Sequence, residues 1–141
     1  MKNIFIDTNV IIDFITQRKP FDIEANKIFS LADNKIIFLQ TSSLSLANAY
    51  YIFSKSKLKN DKELRKIFIN LRTLIDITPI TSTIIDRSLI DELFSDFEDG
   101  LQYFAALKSN CDCIITRNLK HFKNSKISVF SPERFIKEIN F

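Results

Sequence analysis

Glycine is nearly absent from this sequence: Gly100 is the only one in 141 residues. Loops that cradle phosphate groups need several glycines, because the backbone itself must approach the anion closely. The sequence therefore excludes both a P-loop and a dinucleotide-binding fingerprint. Any chemistry on phosphate groups must rely on side chains or on a metal ion.

Cysteine and histidine are almost as scarce, with Cys111, Cys113 and a single histidine, His121. A disulfide bond between cysteines separated by one residue would be badly strained. A metal site would need two further ligands, and His121 belongs to no pattern that supplies them. We therefore expect both cysteines to be reduced and to serve as small core residues.

Long apolar runs are also missing. No stretch approaches the ~20 apolar residues that a membrane-spanning helix needs. The start "MKNIFID" reaches a charge after only a few apolar residues, which is unlike a signal peptide. We therefore expect a cytoplasmic protein that makes no membrane contact. The length suits one domain over residues 1–141 with a sizeable core.

Short β-rich blocks alternate with segments of helical periodicity. The first block, "NIFI", is typical of a strand that is buried on both faces of a parallel sheet. The alternation predicts a three-layer α/β/α fold whose sheet has five parallel strands. The predicted strands are residues 3–6, 35–40, 75–80, 111–116 and 126–131.

Helices are predicted between and after these strands. Pro20 should stop the first helix, and Asp22 is a plausible cap for the second. Pro132 suits the first turn of the last helix. The predicted helical segments are residues 11–16, 21–34, 42–56, 59–74, 81–94, 97–110 and 132–141.

Ligands of a parallel α/β sheet bind beyond the carboxyl ends of its strands. Polar residues follow the first and fourth predicted strands, and the helix after the second strand contains an asparagine. The helix before the fourth strand begins with the acidic run "DFED". The residues that these segments bring to the edge are Asp7, Thr8, Asn9, Asn48, Asp96, Glu98, Asp99, Thr116, Arg117 and Asn118.

The aspartates among them also have a structural interpretation. Asp7 could cap the helix that begins at Thr8, and Asp96 could cap its own helix with Asp99 as the third residue. Asp96 and Asp99 also share one helix face, about one turn apart. If that helix starts at the edge that carries Asp7, three carboxylates converge and repel one another unless a cation neutralises them. An all-oxygen cluster suits Mg²⁺ or Mn²⁺.

The segments that carry these residues resemble the PIN-domain family of metal-dependent ribonucleases, many of which are toxins of bacterial toxin–antitoxin pairs. The resemblance covers essentially the whole chain and rests on "FIDTNVIIDF", "TSSLSLANAYYIF" and "DFEDGLQYFAALKSNCDCIITRNLKHF" in this order. It implies a parallel sheet flanked by helices, an acidic cluster at its carboxyl edge, Mg²⁺ or Mn²⁺, and cleavage of single-stranded RNA. It also implies a small partner antitoxin and a homodimer.

The resemblance carries several site residues over. Asp7 matches the first invariant aspartate of the family, and Asp99 matches the acid at the start of the helix before the fourth strand. Asp96 is then an auxiliary acid one turn earlier. Thr8 and Asn9 stand where small polar neighbours are usual.

Two positions depart from the family pattern. Asn48 stands where glutamate is usual, and Asn118 where many members have aspartate. Each amide still offers an oxygen but no charge, and two divalent ions ~3.5–4 Å apart need substantial negative charge. We expect Asp7, Asp96 and Asp99 to hold one ion. A second ion would depend on the substrate phosphate, and activity should be weak.

Basic residues occur near the predicted site and in a separate cluster. Arg117 and Lys120, just beyond the fourth strand, are predicted to contact the substrate. The separate cluster could track an RNA backbone through counterion release, or it could be the solvated side of a helical hairpin. Its members are Lys55, Lys57, Lys59, Lys62, Arg65 and Lys66.

A homodimer is also expected from apolar surface. The chain has 14 phenylalanines and no tryptophan, and the helices within residues 42–74 carry more apolar side chains than one sheet face should need. Contiguous exposed apolar patches commonly mark interfaces. The alternative is that phenylalanine simply fills the core.

Three other functions are weighed against the nuclease. A phosphatase with an aspartate nucleophile needs a second aspartate two residues later, where Asn9 stands. A phospho-receiver domain needs a suitably placed lysine after its last strand, which "VFSPER" does not offer. A PIN-like domain with a weakened site, acting as an RNA- or protein-binding module, stays open because Asn48 and Asn118 replace acids.

Overall fold

The computed structural model describes residues 2–55 and 60–139. Within this part of the chain, five strands form one sheet in the order β3-β2-β1-β4-β5, and every neighbouring pair is parallel. The predicted α/β fold with a five-stranded parallel sheet is confirmed. The strands are β1 (Lys2–Ile6), β2 (Ile37–Ser42), β3 (Ile75–Thr78), β4 (Cys113–Ile115) and β5 (Ser128–Phe130).

Helices cover both faces of the sheet. None of the helices in the described residues is long and apolar enough to span a bilayer. The predicted helix boundaries at residues 56, 59 and 141 lie outside the described residues. The helices are α1 (Thr8–Thr16), α2 (Asp22–Asp33), α3 (Ser43–Ser54), α4 (Asp61–Leu71), α5 (Ser82–Ile90), α6 (Phe97–Lys108) and α7 (Pro132–Glu138), and a short 3-10 helix spans Leu119–Phe122.

The central strands separate two apolar cores. Ile4 and Ile6 belong to the core under α1, α2, α3, α4 and α7, whereas Phe5 belongs to the core under α5 and α6. On β4, Cys113 joins the first core and Ile114 the second. Successive strand residues point to opposite faces. A strand between two helical layers therefore needs an apolar side chain at every position, which explains the short continuous runs.

The two cysteines behave as expected. Cys111 and Cys113 are both free and buried. Burial raises the pKa of each thiol to about 12. Both thiols are therefore protonated at neutral pH and contribute to packing as small apolar groups.

Strand β2 begins two residues later than predicted. Lys35 has a φ of 59°, and its N–H donates to Ala32 O at 3.0 Å. The N–H of Ile36 donates to Leu31 O at 2.9 Å. These two residues therefore complete the hydrogen bonding at the end of α2, and the strand can start only at Ile37.

Helix α5 ends at Ile90 rather than at the predicted residue 94. Asp91 adopts extended backbone angles, φ −79° and ψ 122°. Its carboxylate accepts a hydrogen bond from the N–H of Leu93 at 2.9 Å. An aspartate that binds the backbone two residues later favours a turn over a continued helix.

The predicted cap at Asp22 is wrong. Phe21 occupies the cap position without a side-chain hydrogen bond, and Asp22 is the first helical residue. Its N–H donates to Arg18 O at 2.8 Å, because the chain reverses tightly before α2. The Asp22 carboxylate instead lies 3.4 Å from the ammonium of Lys19.

Candidate active site

The two central strands bring two polar segments to the same edge of the sheet. The register pairs Ile6 with Ile115, so the residues that follow them leave the sheet side by side. The N–H of Asp7 donates to Ile115 O at 3.0 Å, and the N–H of Thr116 donates to Phe130 O at 3.0 Å. Asp7 and Thr116 are therefore fixed by the sheet itself.

Asp7 is both a helix cap and a member of a polar network. Its Oδ1 accepts a hydrogen bond from the N–H of Thr8 at 2.7 Å. Its Oδ2 accepts from the Thr116 hydroxyl at 2.8 Å and from the Asn9 amide at 3.3 Å. The residue is only 9% exposed. Capping thus accounts for one oxygen, and the network holds the other in a fixed orientation.

Asp96 is the cap of α6, as its structural interpretation predicted. Its Oδ1 accepts hydrogen bonds from the N–H groups of Glu98 at 2.8 Å and Asp99 at 3.2 Å. The first turn of α6 and Asp7 border a common cavity. The predicted proximity of Asp7, Asp96 and Asp99 is therefore observed, while their role as metal ligands stays a prediction. The cavity measures about 310 Å³ and is lined by Asp7, Thr8, Asn9, Ile12, Asp96, Glu98, Asp99, Asn118 and His121.

The fold disfavours the ionised forms of Asp7 and Asp99 in this cavity. Burial raises the pKa of Asp99 to about 6, with His121 opposing the rise and Asp96, Asp7 and Glu98 adding to it. Burial also raises the pKa of Asp7, against hydrogen bonds from Thr116 and Thr8 that lower it. A nearby cation would lower both pKa values by favouring the charged forms.

His121 lies on the 3-10 helix and lines the cavity. The sequence had not predicted it as a site residue. Its Nδ1 lies 3.3 Å from Oδ2 of Asp99. The available signal was its spacing of three residues from Asn118, because residues i and i+3 eclipse in a 3-10 turn. Asn118 itself donates its N–H to the Thr116 hydroxyl at 3.0 Å and lines the cavity.

Glu98, like His121, lies at the cavity although the sequence predicted no role for it there. The sequence placed it in the acidic run of α6, and the structure shows that it lines the cavity. Its Oε1 accepts a hydrogen bond at 3.0 Å from the side-chain amide of Asn48, fifty positions earlier. Asn48 thus reaches the site through Glu98. No local sequence signal predicts a contact at this separation.

Arg117 is held within the protein. Its Nε and Nη2 donate to the Asp13 carboxylate at 2.7 Å and 3.2 Å. Its guanidinium carbon lies 4.0 Å from the ring centroid of Phe21. Asp13 is 1% exposed, and the sequence had predicted no role for it. Lys120, by contrast, is exposed on the 3-10 helix, and the substrate contacts predicted for Arg117 and Lys120 stay predictions.

The described members of the separate basic cluster lie on two elements: Lys55 is the C-cap of α3, and the others lie on α4. Lys62, Arg65 and Lys66 are exposed there, and Arg65 pairs with Asp61 at 2.6 Å. Two further predicted members, at positions 57 and 59, lie outside the described residues.

Most of the chain matches a known domain: the model of the PIN domain covers residues 3–120. The chain belongs to the PIN-domain family. It is 30% identical over 146 residues to Ribonuclease VapC1 of Aquifex aeolicus (strain VF5), and this alignment covers 99% of the chain and 96% of the relative. The resemblance that the sequence motifs indicated is confirmed.

Solved structures of PIN proteins share the fold. VapBC2 from Rickettsia felis, bound to a DNA fragment from its promoter, is 21% identical with a TM-score of 0.64, covering 92% of this chain and 98% of that one. A toxin–antitoxin complex from Klebsiella pneumoniae is 19% identical with a TM-score of 0.66, covering 91% and 96%. These likenesses support the three-layer architecture.

The donor groups of this PIN domain fit a hard divalent cation. Asp7, Asp96, Glu98 and Asp99 supply carboxylate oxygens to the cavity, and Asn118 supplies an amide oxygen, which are the ligands that Mg²⁺ and Mn²⁺ prefer. Within the described residues, no three His, Cys, Asp or Glu side chains already stand in a metal-binding geometry. The donor chemistry fits, and binding requires these side chains to draw together.

Proposed function

We propose that this PIN domain is an endoribonuclease that depends on Mg²⁺ or Mn²⁺ and cleaves phosphodiester bonds in single-stranded RNA. The observation that carries the proposal is the cavity at the carboxyl edge of the sheet where Asp7, Asp96, Glu98 and Asp99 meet. The identity of 30% with Ribonuclease VapC1 over nearly the whole chain supports the class of reaction.

The residues that line the cavity would have different roles in hydrolysis. Asp7, Asp96 and Asp99 would hold the cation, which when bound would stabilise charge on the scissile phosphate and lower the pKa of the attacking water. Hydrogen bonds from Thr116 and Asn9 keep the Asp7 carboxylate in one orientation. Such fixed ligands limit the reorganisation that the reaction requires.

The substrate side of the cavity is formed by the segment after β4. The amide of Asn118 borders the cavity and can donate to a phosphate oxygen. Lys120 is exposed close by in the chain and can add positive charge. An RNA phosphate alone would be repelled by the four carboxylates, so productive binding requires the cation as well.

We further propose that the protein is the toxin of a toxin–antitoxin pair, that it forms a homodimer, and that it acts in the cytoplasm. The Klebsiella pneumoniae structure is a toxin–antitoxin complex, and the chain resembles it over most of its length. A small antitoxin protein is therefore the proposed partner.

A second candidate function is a catalytically weakened PIN domain that binds RNA or a protein. Asn48 and Asn118 favour it, because neither amide supplies the charge that a glutamate or aspartate would supply. Such a domain would need no cation, and its cavity acids would be free to change without loss of function.

Calorimetric titration with Mn²⁺ separates the two candidates. We expect the wild-type protein to bind Mn²⁺ and Asp99→Asn to bind it about tenfold or more weakly, since a ligand carboxylate is lost. Asp33→Asn removes an exposed acid at the end of α2 and should bind Mn²⁺ like the wild type. A wild-type protein that neither releases nor absorbs heat of binding with Mn²⁺ would support the binding module instead.

A further inference from the structure

Glu98 has surroundings that are unusual for a surface glutamate. Its side chain borders the carboxylate cavity. No ion pair joins it to any lysine, arginine or histidine in the described ranges. Its hydrogen-bond partner is the neutral amide of Asn48 at 3.0 Å. The chain therefore holds this carboxylate in place without neutralising it.

The charges around Glu98 have the same sign. Glu98 lines the same cavity as Asp7, Asp96 and Asp99, and like charges that share a site repel one another. The positive end of α6 offsets part of this repulsion. A divalent cation in the cavity would offset far more, because it carries two charges and would lie between the acids.

Asn48 is well matched to a carboxylate at position 98. Its amide donates to Oε1 of Glu98, and Oε2 accepts no hydrogen bond from any residue that the structure describes. A neutral donor orients the carboxylate without using its second oxygen. A glutamate at position 48 would instead repel Glu98.

We propose that Glu98 is a further metal-ligating carboxylate of the cavity and that Asn48 is the positioning residue that orients it. The inference rests on the proposed nuclease function. Under this proposal Asn48 needs no charge of its own. The fourth negative charge of the site is supplied by Glu98 on α6 rather than by a residue on α3. The amide at position 48 therefore need not weaken the site.

Calorimetry with Mn²⁺ on a matched pair of variants tests the role of Glu98. Glu63 is the control, because it is also exposed and also lies in the first turn of a helix, α4. Glu98→Gln should weaken Mn²⁺ binding by about tenfold or more, whereas Glu63→Gln should bind like the wild type. When no metal is present, Glu98→Gln should melt at or slightly above the wild-type temperature, because one of the repelling charges is removed, and Glu63→Gln should melt at the wild-type temperature.

A double-mutant cycle tests the role of Asn48. Asn48→Ala should weaken Mn²⁺ binding about tenfold in the wild-type background, the lower end of the range for groups that orient ligands. It should have no effect in the Glu98→Gln background, because the group that it orients is already lost. An equal loss in both backgrounds would show that Asn48 acts independently of Glu98 and would overturn its positioning role.

Failure of the inference is distinguishable from failure of the proposed function. Wild-type Mn²⁺ affinity in Glu98→Gln, together with weakened affinity in Asp99→Asn, would overturn the role of Glu98 and leave the nuclease function intact. A wild-type protein that binds no Mn²⁺ would overturn both.

Discussion

At the scale of single residues, Asp99 is an acid whose ionisation the fold opposes. Burial raises its pKa from 3.8 to about 6, and the neighbouring carboxylates add to the rise while His121 opposes it. The folded chain therefore holds this proton more tightly than the unfolded chain does. By linkage, ionising Asp99 lowers the free energy of unfolding.

This linkage predicts a pH dependence without metal. The unfolding free energy of the wild type relative to that of Asp99→Asn should fall as the pH rises from about 4, the unfolded pKa, to about 6, the folded pKa, and then level off. Denaturant unfolding at several pH values measures it, with Asp33→Asn as the control that should track the wild type. Parallel wild-type and Asp99→Asn curves would contradict the prediction.

The proximity of Asp7 to Asp96 and Asp99 was accessible from the sequence. It follows from the rule that the carboxyl ends of parallel strands share one edge, once the strands are placed. The contact of Glu98 with Asn48 was not accessible, because the residues lie fifty positions apart on different helices. Such a pair depends on how the helices pack, which no local pattern encodes.

At the scale of secondary-structure elements, the ion pair between Asp13 and Arg117 ties α1 to the segment after β4. Arg117→Gln should lower the free energy of unfolding by about 3 kcal/mol or more, because it leaves a buried carboxylate without its partner. Lys120→Gln removes a neighbouring exposed charge and should change it by less than about 0.5 kcal/mol. Urea denaturation of both variants measures the difference.

The two variants also separate structural from substrate contacts. Lys120→Gln should weaken binding to labelled single-stranded RNA and reduce its salt dependence, as expected for a lost phosphate contact. If Arg117→Gln kept wild-type stability and lost only RNA affinity, Arg117 would be a substrate contact and its structural role would be wrong.

The sequence located the central elements well and their ends less well. Strands β1 and β4 were identified because burial on both faces requires continuous apolar runs. The start of β2 was missed because it depends on the left-handed backbone of Lys35. The prediction that Asp22 caps α2 was wrong. The chain reverses tightly before α2, and the Asp22 carboxylate therefore pairs with the ammonium of Lys19. Hydrophobic periodicity does not predict chain reversals of this kind.

At the scale of the whole molecule, α3 and α4 expose apolar side chains. Tyr51, Ile52 and Ile69 are 61%, 51% and 67% exposed. We expect these helices to form the homodimer interface, because burying such side chains in a second copy removes apolar surface from water. Light scattering at micromolar concentrations should give a dimer mass for the wild type.

Charge introduced on this surface should separate the protomers. Ile52→Asp and Ile69→Asp should give monomers, since an unpaired carboxylate would be buried in the interface. Leu89→Asp changes a comparably exposed residue on α5 and should remain dimeric. A monomer mass for the wild type across the same concentrations would exclude the dimer.

The nuclease site is tested most directly by the rate at which wild type and Asp7→Asn cleave a labelled single-stranded RNA in Mn²⁺. Asparagine caps a helix as well as aspartate does, and burial raises the pKa of Asp7, so the variant should fold with unchanged or slightly higher stability without metal. We predict cleavage by the wild type in Mn²⁺, none in EDTA, and none by Asp7→Asn. Cleavage by folded Asp7→Asn at the wild-type rate would show that Asp7 is only a cap and would contradict the metal-dependent mechanism.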